Sequence, residues 1–307
     1  MKCLKSRAFF ATVGLVALSW GIVTARGVSA PPPVVKHATV NGVDLIYLEQ
    51  GQGAPVVFVH GGFADHRAWE GQREAVAKQY RYIALTQRYF GTAPWPDGGE
   101  KFSLATHTDD LAAFVRELKV GSVHVVGWSY GGGIALLLAV QHPELVKSLF
   151  VHEPGGIATF VTDAADVKAA GEDRRDMVTP AASASKAGDT AGAVRLFYDG
   201  VTGQPGSFET LPPAVRSMLL DNARTMPLLF AASPPPAISC AQLGQIKVPV
   251  AIAKGELARP AFRIPADTAS RCIPGSRLAV VLQGRHTAPA TSPAAFNEVL
   301  LGFLKNN

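Results

Sequence analysis

The stretch from Ser122 to Gln141 leaves this chain few choices of fold. An apolar run, Ser122 to Trp128, passes with almost no loop into a very apolar helical stretch, Gly131 to Gln141, that stops near Pro143. The join reads Gly127-Trp128-Ser129-Tyr130-Gly131. A strand that turns this sharply into a helix brings two backbones together, and glycines on either side of the serine leave room for the approach. Gly132 and Gly133 extend that room. The serine is left on a strained turn at the end of the strand, its hydroxyl presented outward. A glycine-rich turn with an incidental serine has the same composition, so the surroundings must decide.

The surroundings alternate. Residues 34–49 read as two β segments around the hairpin turn Asn41-Gly42. Pro55 to His60 is a short apolar run closed by Gly61-Gly62, consistent with a strand buried on both faces. A helix over 67–79, a strand over Arg81 to Thr86 and a helix over Thr106 to Lys119 follow, the last with Leu111, Phe114, Val115 and Leu118 at helical spacing. After the Ser129 turn and its helix, Val146 to His152 is again a strand. This order predicts the α/β class, a mostly parallel sheet with helices on both faces. Residues 155–240 break the pattern with Ala-rich helical stretches and the run Pro234 to Pro236. Strand 248–254, helix 260–272, strand 277–282 and helix 293–304 then resume it. The expected organisation is a core of residues 34–154 and 241–307 carrying an inserted helical lid, residues 155–240.

The first residues are a separate object. Lys2, Lys5 and Arg7 precede an apolar run from Ala8 to Val23, and small residues follow. That is the layout of a secretory signal, with small-x-small sites at Val23-Thr24-Ala25 and Val28-Ser29-Ala30. Cleavage after Ala25 is preferred, because Pro31 is a poor residue just beyond the second site. An uncleaved anchor is the other reading, and it exports the rest of the chain equally. The expectation is therefore a periplasmic or secreted protein with a signal peptide over residues 1–25 and no stable membrane partner after cleavage. The formal net charge of +5 falls to +2 without that segment, and no Lys/Arg cluster marks a nucleic-acid face. Cys240 and Cys272 remain, either a disulfide or two buried thiols.

A serine hydroxyl needs a base to attack at neutral pH. Among eight histidines, His286 follows the last predicted strand, so its loop leaves the sheet at the same edge as Ser129. His37, His66 and His107 read as surface residues, and His142 precedes a helix-stopping proline. His60 and His124 lie on or beside buried strands, where a satisfied core histidine is usual. The third member should be an acid between Ser129 and His286 in the chain. Glu153 and Glu256 both follow strands, and Glu153 is preferred. Developing negative charge on a substrate oxygen would meet the N–H of Tyr130, next to the serine, and that of Gly62 or Phe63 in the loop after His60-Gly61. Phe63 and Trp128, flanking these positions, are expected to touch substrate. Residues 87–91 after another strand end receive no role. No His/Cys spacing suggests a metal, and no cofactor is expected. The sequence sets no oligomeric state.

These residues together resemble the α/β-hydrolase superfamily over residues 34–305. The likeness is to its esterase, haloperoxidase and dehalogenase-like branches, with the spacing from His60 to Trp69 also similar. The resemblance implies an α/β-hydrolase fold, with Gly62 as the oxyanion donor just after the His-Gly pair. One departure stands out: most members carry an Asp where this chain has Ala258, in Gly255-Glu256-Leu257-Ala258. Dehalogenase-like and zearalenone-lactonase-like members instead carry a Glu after the strand that follows the elbow, which matches Glu153. Dehalogenases and epoxide hydrolases of this fold use Asp as nucleophile, so Ser129 points to acyl transfer on a small-molecule ester or lactone. Carbon–carbon hydrolysis and perhydrolysis use the same constellation, and a catalytically silent binding protein has the same fold.

Overall fold

The computed structural model describes residues 31–231 and 235–307. The segment expected to be a signal peptide, 1–25, lies outside the described residues. Strands β1 (Val34–Val40) and β2 (Val43–Gln50) form the antiparallel hairpin, with Asn41 and Gly42 at φ 47° and 75° supplying the left-handed turn. Six parallel strands follow: β3 (Pro55–Val59), β4 (Arg81–Leu85), β5 (Val123–Trp128), β6 (Val146–His152), β7 (Val250–Gly255) and β8 (Arg277–Val281). All eight lie in one sheet, in the order β1-β2-β4-β3-β5-β6-β7-β8, with β2 antiparallel to β4. The chain moves from β3 outward to β4, then returns to β3's other side with β5. That reversal is a topological switch point, where the loops leaving the carboxyl ends part and open a crevice.

The apolar strands explain the layers. Successive side chains point to opposite faces, so Val57 and Val59 join one core while Val56 and Phe58 join the other. All four are fully buried, each contributing roughly 1.5–3 kcal/mol relative to exposure. Helices α1 (Glu70–Ala77) and, near the end of the chain, α10 (Ala288–Thr291) and α11 (Pro293–Leu304) cover the Phe58 face. The opposite face is covered by α2 (Leu104–Glu117), α3 (Tyr130–Gln141) and α9 (Pro260–Cys272). Several boundaries differ from expectation for local reasons. Helix α2 starts at Leu104 because the Ser103 side chain accepts from Thr106 N at 3.0 Å. Strand β7 starts at Val250 because Pro249 has no N–H to give.

Between β6 and β7 the chain forms the inserted helical lid: α4 (Ala164–Lys186), α5 (Thr190–Thr202), α6 (Pro213–Asp221) and α7 (Met226–Ala231), before α8 (Cys240–Leu243) leads back to the sheet. Polar fasteners bind the lid to the core on both flanks. Asn222 is fully buried and donates to Asp65 at 2.8 Å while accepting from Gly91 N at 2.6 Å. Across the molecule Arg259 grips Asp173 with two N–H groups, at 2.7 and 3.0 Å. Cys240 and Cys272 are joined as a disulfide, tying α8 to the end of α9.

Candidate active site

Backbone strain is gathered at one edge of the sheet. Among the described residues seven non-glycine residues have positive φ, and five of them follow the carboxyl ends of β3, β4, β5, β6 and β8: Phe63, Tyr89, Ser129, Glu153 and Gln283. Each such conformation costs on the order of 1–3 kcal/mol, and a cluster of them marks a site where geometry outranks stability. Ser129 is the clearest, at φ 54° and ψ −121°. The flanking glycines are obligatory. A Cβ on Gly131 would lie 2.2 Å from the Val59 carbonyl oxygen, and one on Gly127 would lie 2.6 Å from that of Gly131. Two further glycines bracket the hydroxyl itself. A Cβ on Gly61 would stand 3.2 Å from Ser129 Cβ, and one on Gly155 would stand 3.1 Å from its Oγ.

The structure brings Glu153 and His286 together. His286 Nδ1 lies 2.6 Å from Glu153 Oε2, and Glu153 Oε1 accepts from Gly255 N at 2.7 Å. Burial raises the proton affinity of Glu153, which is fully enclosed. Charge on the neighbouring histidines and the hydrogen bonds from His286 and Gly255 outweigh that and hold the carboxyl below its ordinary value. Ser129 and His286 line the same cavity, although among the described residues no hydrogen bond joins them. Hydroxyl-to-base bonds of this kind are often loose without substrate. Glu256, the other acid considered, is exposed and accepts instead from Gln283 N at 2.9 Å and Gln283 Nε2 at 3.3 Å.

Three side chains contact His286 or its loop; Trp128 was expected to touch substrate, whereas His152 and Phe262 were not among the expected site residues. Trp128 Nε1 donates to the His286 carbonyl oxygen at 2.8 Å, so Trp128 braces the histidine loop as well as lining the cavity. His152 Nε2 donates to the same oxygen at 3.2 Å. Burial lowers the His152 pKa to about 4, so the ring is neutral at physiological pH. Phe262 stacks on the imidazole, with centroids 3.5 Å apart and planes 10° apart. Of the two unexpected residues only His152 had a sequence signal, its position at the end of β6.

On the other side of Ser129, the amide of Tyr130 heads α3, where no intrahelical acceptor exists. Among the described residues neither Gly62 N–H nor Phe63 N–H has a hydrogen-bond partner. The Phe63 ring lines the cavity and meets Phe197 of the lid edge-on at 4.6 Å. The segment 87–91 supports this loop from behind. Gln87 N–H donates to His60 Nε2 at 3.1 Å, and Gln87 Nε2 donates to His60 O at 2.7 Å. Arg88 makes a buried two-point ion pair with Asp110, both at 2.7 Å. His107, expected at the surface, is buried and lies 2.8 Å from the Tyr130 hydroxyl. It falls on the inward stripe of α2 between Leu104 and Leu111, and burial lowers its pKa to about 3. His66, also expected outside, is half-buried against the Thr86 hydroxyl at 2.8 Å.

A cavity of about 410 Å³ opens above Ser129, within the range of small-molecule sites. Its floor is the sheet edge, and its roof is apolar lid residues such as Met177, Phe197, Leu219 and Phe230. Phe208 and Met226 do not line the cavity and pack in the cluster that the lid forms around Phe63. Among the described residues no group of His, Cys, Asp and Glu could hold a metal ion.

The model of the alpha/beta hydrolase fold family matches residues 54–256. The chain belongs to that family. The chain is 32% identical over 132 residues to the 2-hydroxy-6-oxo-6-(2'-aminophenyl)hexa-2,4-dienoic acid hydrolase of Metapseudomonas resinovorans, covering 42% of this chain and 45% of that one. It is 34% identical over 143 residues to the non-heme chloroperoxidase CPO-A1 of Kitasatospora aureofaciens, covering 41% and 50%. These matches thus span about half the length of the relatives or less. The enol-lactonase from Burkholderia xenovorans LB400 superposes on 88% of this chain and 100% of its own, with a TM-score of 0.70 at 19% identity. At that identity the likeness is one of fold.

Proposed function

We propose that this chain is an exported serine hydrolase that cleaves a carboxylic ester or lactone through Ser129, His286 and Glu153. The observation that carries the reading is the 2.6 Å contact between a buried carboxylate and His286 at the strained edge that bears Ser129. In the mechanism, His286 Nε2 takes the hydroxyl proton as Ser129 Oγ attacks the carbonyl carbon. Glu153 accepts from Nδ1, which leaves Nε2 free as base and stabilises the imidazolium that forms. The N–H groups of Gly62 and Tyr130 receive the oxyanion. The imidazolium returns its proton to the leaving alcohol, and water repeats the sequence on the acyl-enzyme.

A second reading, hydrolysis of a carbon–carbon bond beside a carbonyl, uses the same residues and is favoured by the name of the Metapseudomonas resinovorans relative. Turnover of short-chain p-nitrophenyl esters by wild type and Ser129→Ala tests the first. A fluorophosphonate that labels wild type and not the variant tests the nucleophile independently. If neither turnover nor labelling occurs, the hydrolase mechanism fails and the chain is a binding protein. Export is part of the proposal, supported by the disulfide. The mature protein recovered from outside the cytoplasm should begin at Arg26. Recovery of a full-length chain from the cytoplasm would refute it.

A further inference from the structure

One side chain in the cavity has no counterpart in the chemistry described above. The wall holds no Asp, Glu or Lys, and Arg174 is its one permanently charged residue among those described. Arg174 belongs to α4, where Arg174, Val178 and Ala182 recur at i, i+4 and i+8 and all line the cavity, together with Met177. A cation therefore stands in the apolar stripe that the lid turns toward the site.

The acid beside it is already matched. Asp173 is held by Arg259 and by Ala261 N, the latter at 2.9 Å, and Glu172 is held by Arg175 at 4.0 Å. Among the described residues Arg174 itself has neither ion pair nor hydrogen bond. Arg174 is open to solvent as well as lining the cavity, and the surrounding lid atoms still desolvate its guanidinium in part and hold it below its usual range. A guanidinium on an apolar wall with no protein partner is free to pair with an anion that enters with the ligand.

We propose that Arg174 is a specificity residue that receives a carboxylate of the substrate. The inference rests on the ester or lactone reading above and narrows it to acids that carry a second carboxyl group, such as half-esters of dicarboxylic acids. Guanidinium and carboxylate match as planar two-point partners. One guanidinium against one carboxylate leaves the apolar cavity neutral, whereas a phosphate dianion would leave an unpaired charge among Phe197, Leu219 and Phe230.

The test compares mono-p-nitrophenyl adipate with its uncharged methyl ester on wild type, Arg174→Gln and Arg174→Lys. Wild type should prefer the charged substrate at least tenfold in kcat/KM. Arg174→Gln should lose about 10- to 100-fold on the charged ester, as expected for a charged hydrogen bond, and stay within about threefold on the neutral one. Arg174→Lys should recover part of the loss. Equal treatment of the two esters by wild type, or an equal effect of Arg174→Gln on both, overturns the proposal. Calorimetric binding of monomethyl adipate to Ser129→Ala, with and without Arg174→Gln, keeps the two readings apart. If no ester is turned over but this binding still depends on Arg174, the hydrolase reading fails and the carboxylate site stands. If adipate half-ester binds equally with and without Arg174, the site fails whatever the enzyme does.

Discussion

Glu153→Gln is the sharpest perturbation of the proposed mechanism, because the carboxylate's two oxygens have two different donors. Oε2 accepts from His286 Nδ1 and Oε1 from Gly255 N, in a pocket closed to solvent. Glutamine cannot satisfy both. If its oxygen keeps Gly255, its NH2 faces Nδ1, and the imidazole must carry its proton on Nε2, where it cannot act as base. A wrong tautomer of this kind costs a serine triad about 10⁴-fold, or roughly 5 kcal/mol. If the oxygen instead keeps His286, the NH2 meets Gly255 N–H, and a buried donor pair costs about 1–3 kcal/mol of stability. Either way the variant suffers. Glu256→Gln, by contrast, changes an exposed acid bonded to Gln283 and should stay within about threefold. The assay is kcat/KM on a p-nitrophenyl ester beside a urea melt. Glu153→Gln that keeps full stability and activity within tenfold, or Glu256→Gln that loses a hundredfold, refutes the assignment. The stability contribution has a definite sign. The depressed carboxyl stabilises the fold above its ordinary pKa of 4.5, and that share is lost as pH falls through the folded value.

Other outcomes follow from the same geometry. Reducing the Cys240–Cys272 bond, which spans 32 positions, should lower stability by about 3–4 kcal/mol on the chain-entropy account, read from urea midpoints with and without dithiothreitol. An unchanged midpoint would mean the disulfide does not restrain the unfolded chain. Phe262→Leu keeps an apolar side chain but removes the ring stacked on His286, so the imidazolium formed in the reaction loses its aromatic partner and kcat/KM should fall by about 0.5–2 kcal/mol. An unchanged kcat/KM would reduce Phe262 to packing. Burial lowers the pKa values of His60 and His152 to about 4 and of His107 to about 3, so the unfolded chain binds protons the folded one refuses. Stability should therefore drop as pH falls from about 6.5 toward 4, by about 1.4 kcal/mol for each tenfold loss of proton affinity. Flat urea midpoints from pH 7 to pH 5 would contradict that burial.

What could be read in advance depended on how local the cause is. The turn at Ser129 is written in glycines whose Cβ atoms would strike Val59 and Gly131, a constraint carried by residues next to one another. The sheet was equally legible, since Val56 to Val59 are apolar on both faces and that excludes a half-exposed strand. Strand β7 shows the limit of propensity, because Pro249 delays the ladder by two residues. His107 was misread because its polarity outweighed its place on the inward stripe of α2, where the Tyr130 hydroxyl satisfies it. Arg174, Phe262 and the Trp128 bond to His286 carry no local sign at all. Trp128 and His286 stand 158 positions apart, and only the closed sheet brings them within 2.8 Å.

The parallel order of the sheet has a consequence for how the molecule comes to life. Ser129 leaves β5, Glu153 leaves β6, and His286 leaves β8, the edge strand, held only by β7. No sub-assembly short of the final strand contains all three. On the proposed triad, a chain emerging from a ribosome or threading a membrane pore unfolded is inert along its whole passage, and competence arrives in one step when β8 docks. Recovery of turnover during refolding would then time that last pairing, with no spectroscopic label needed.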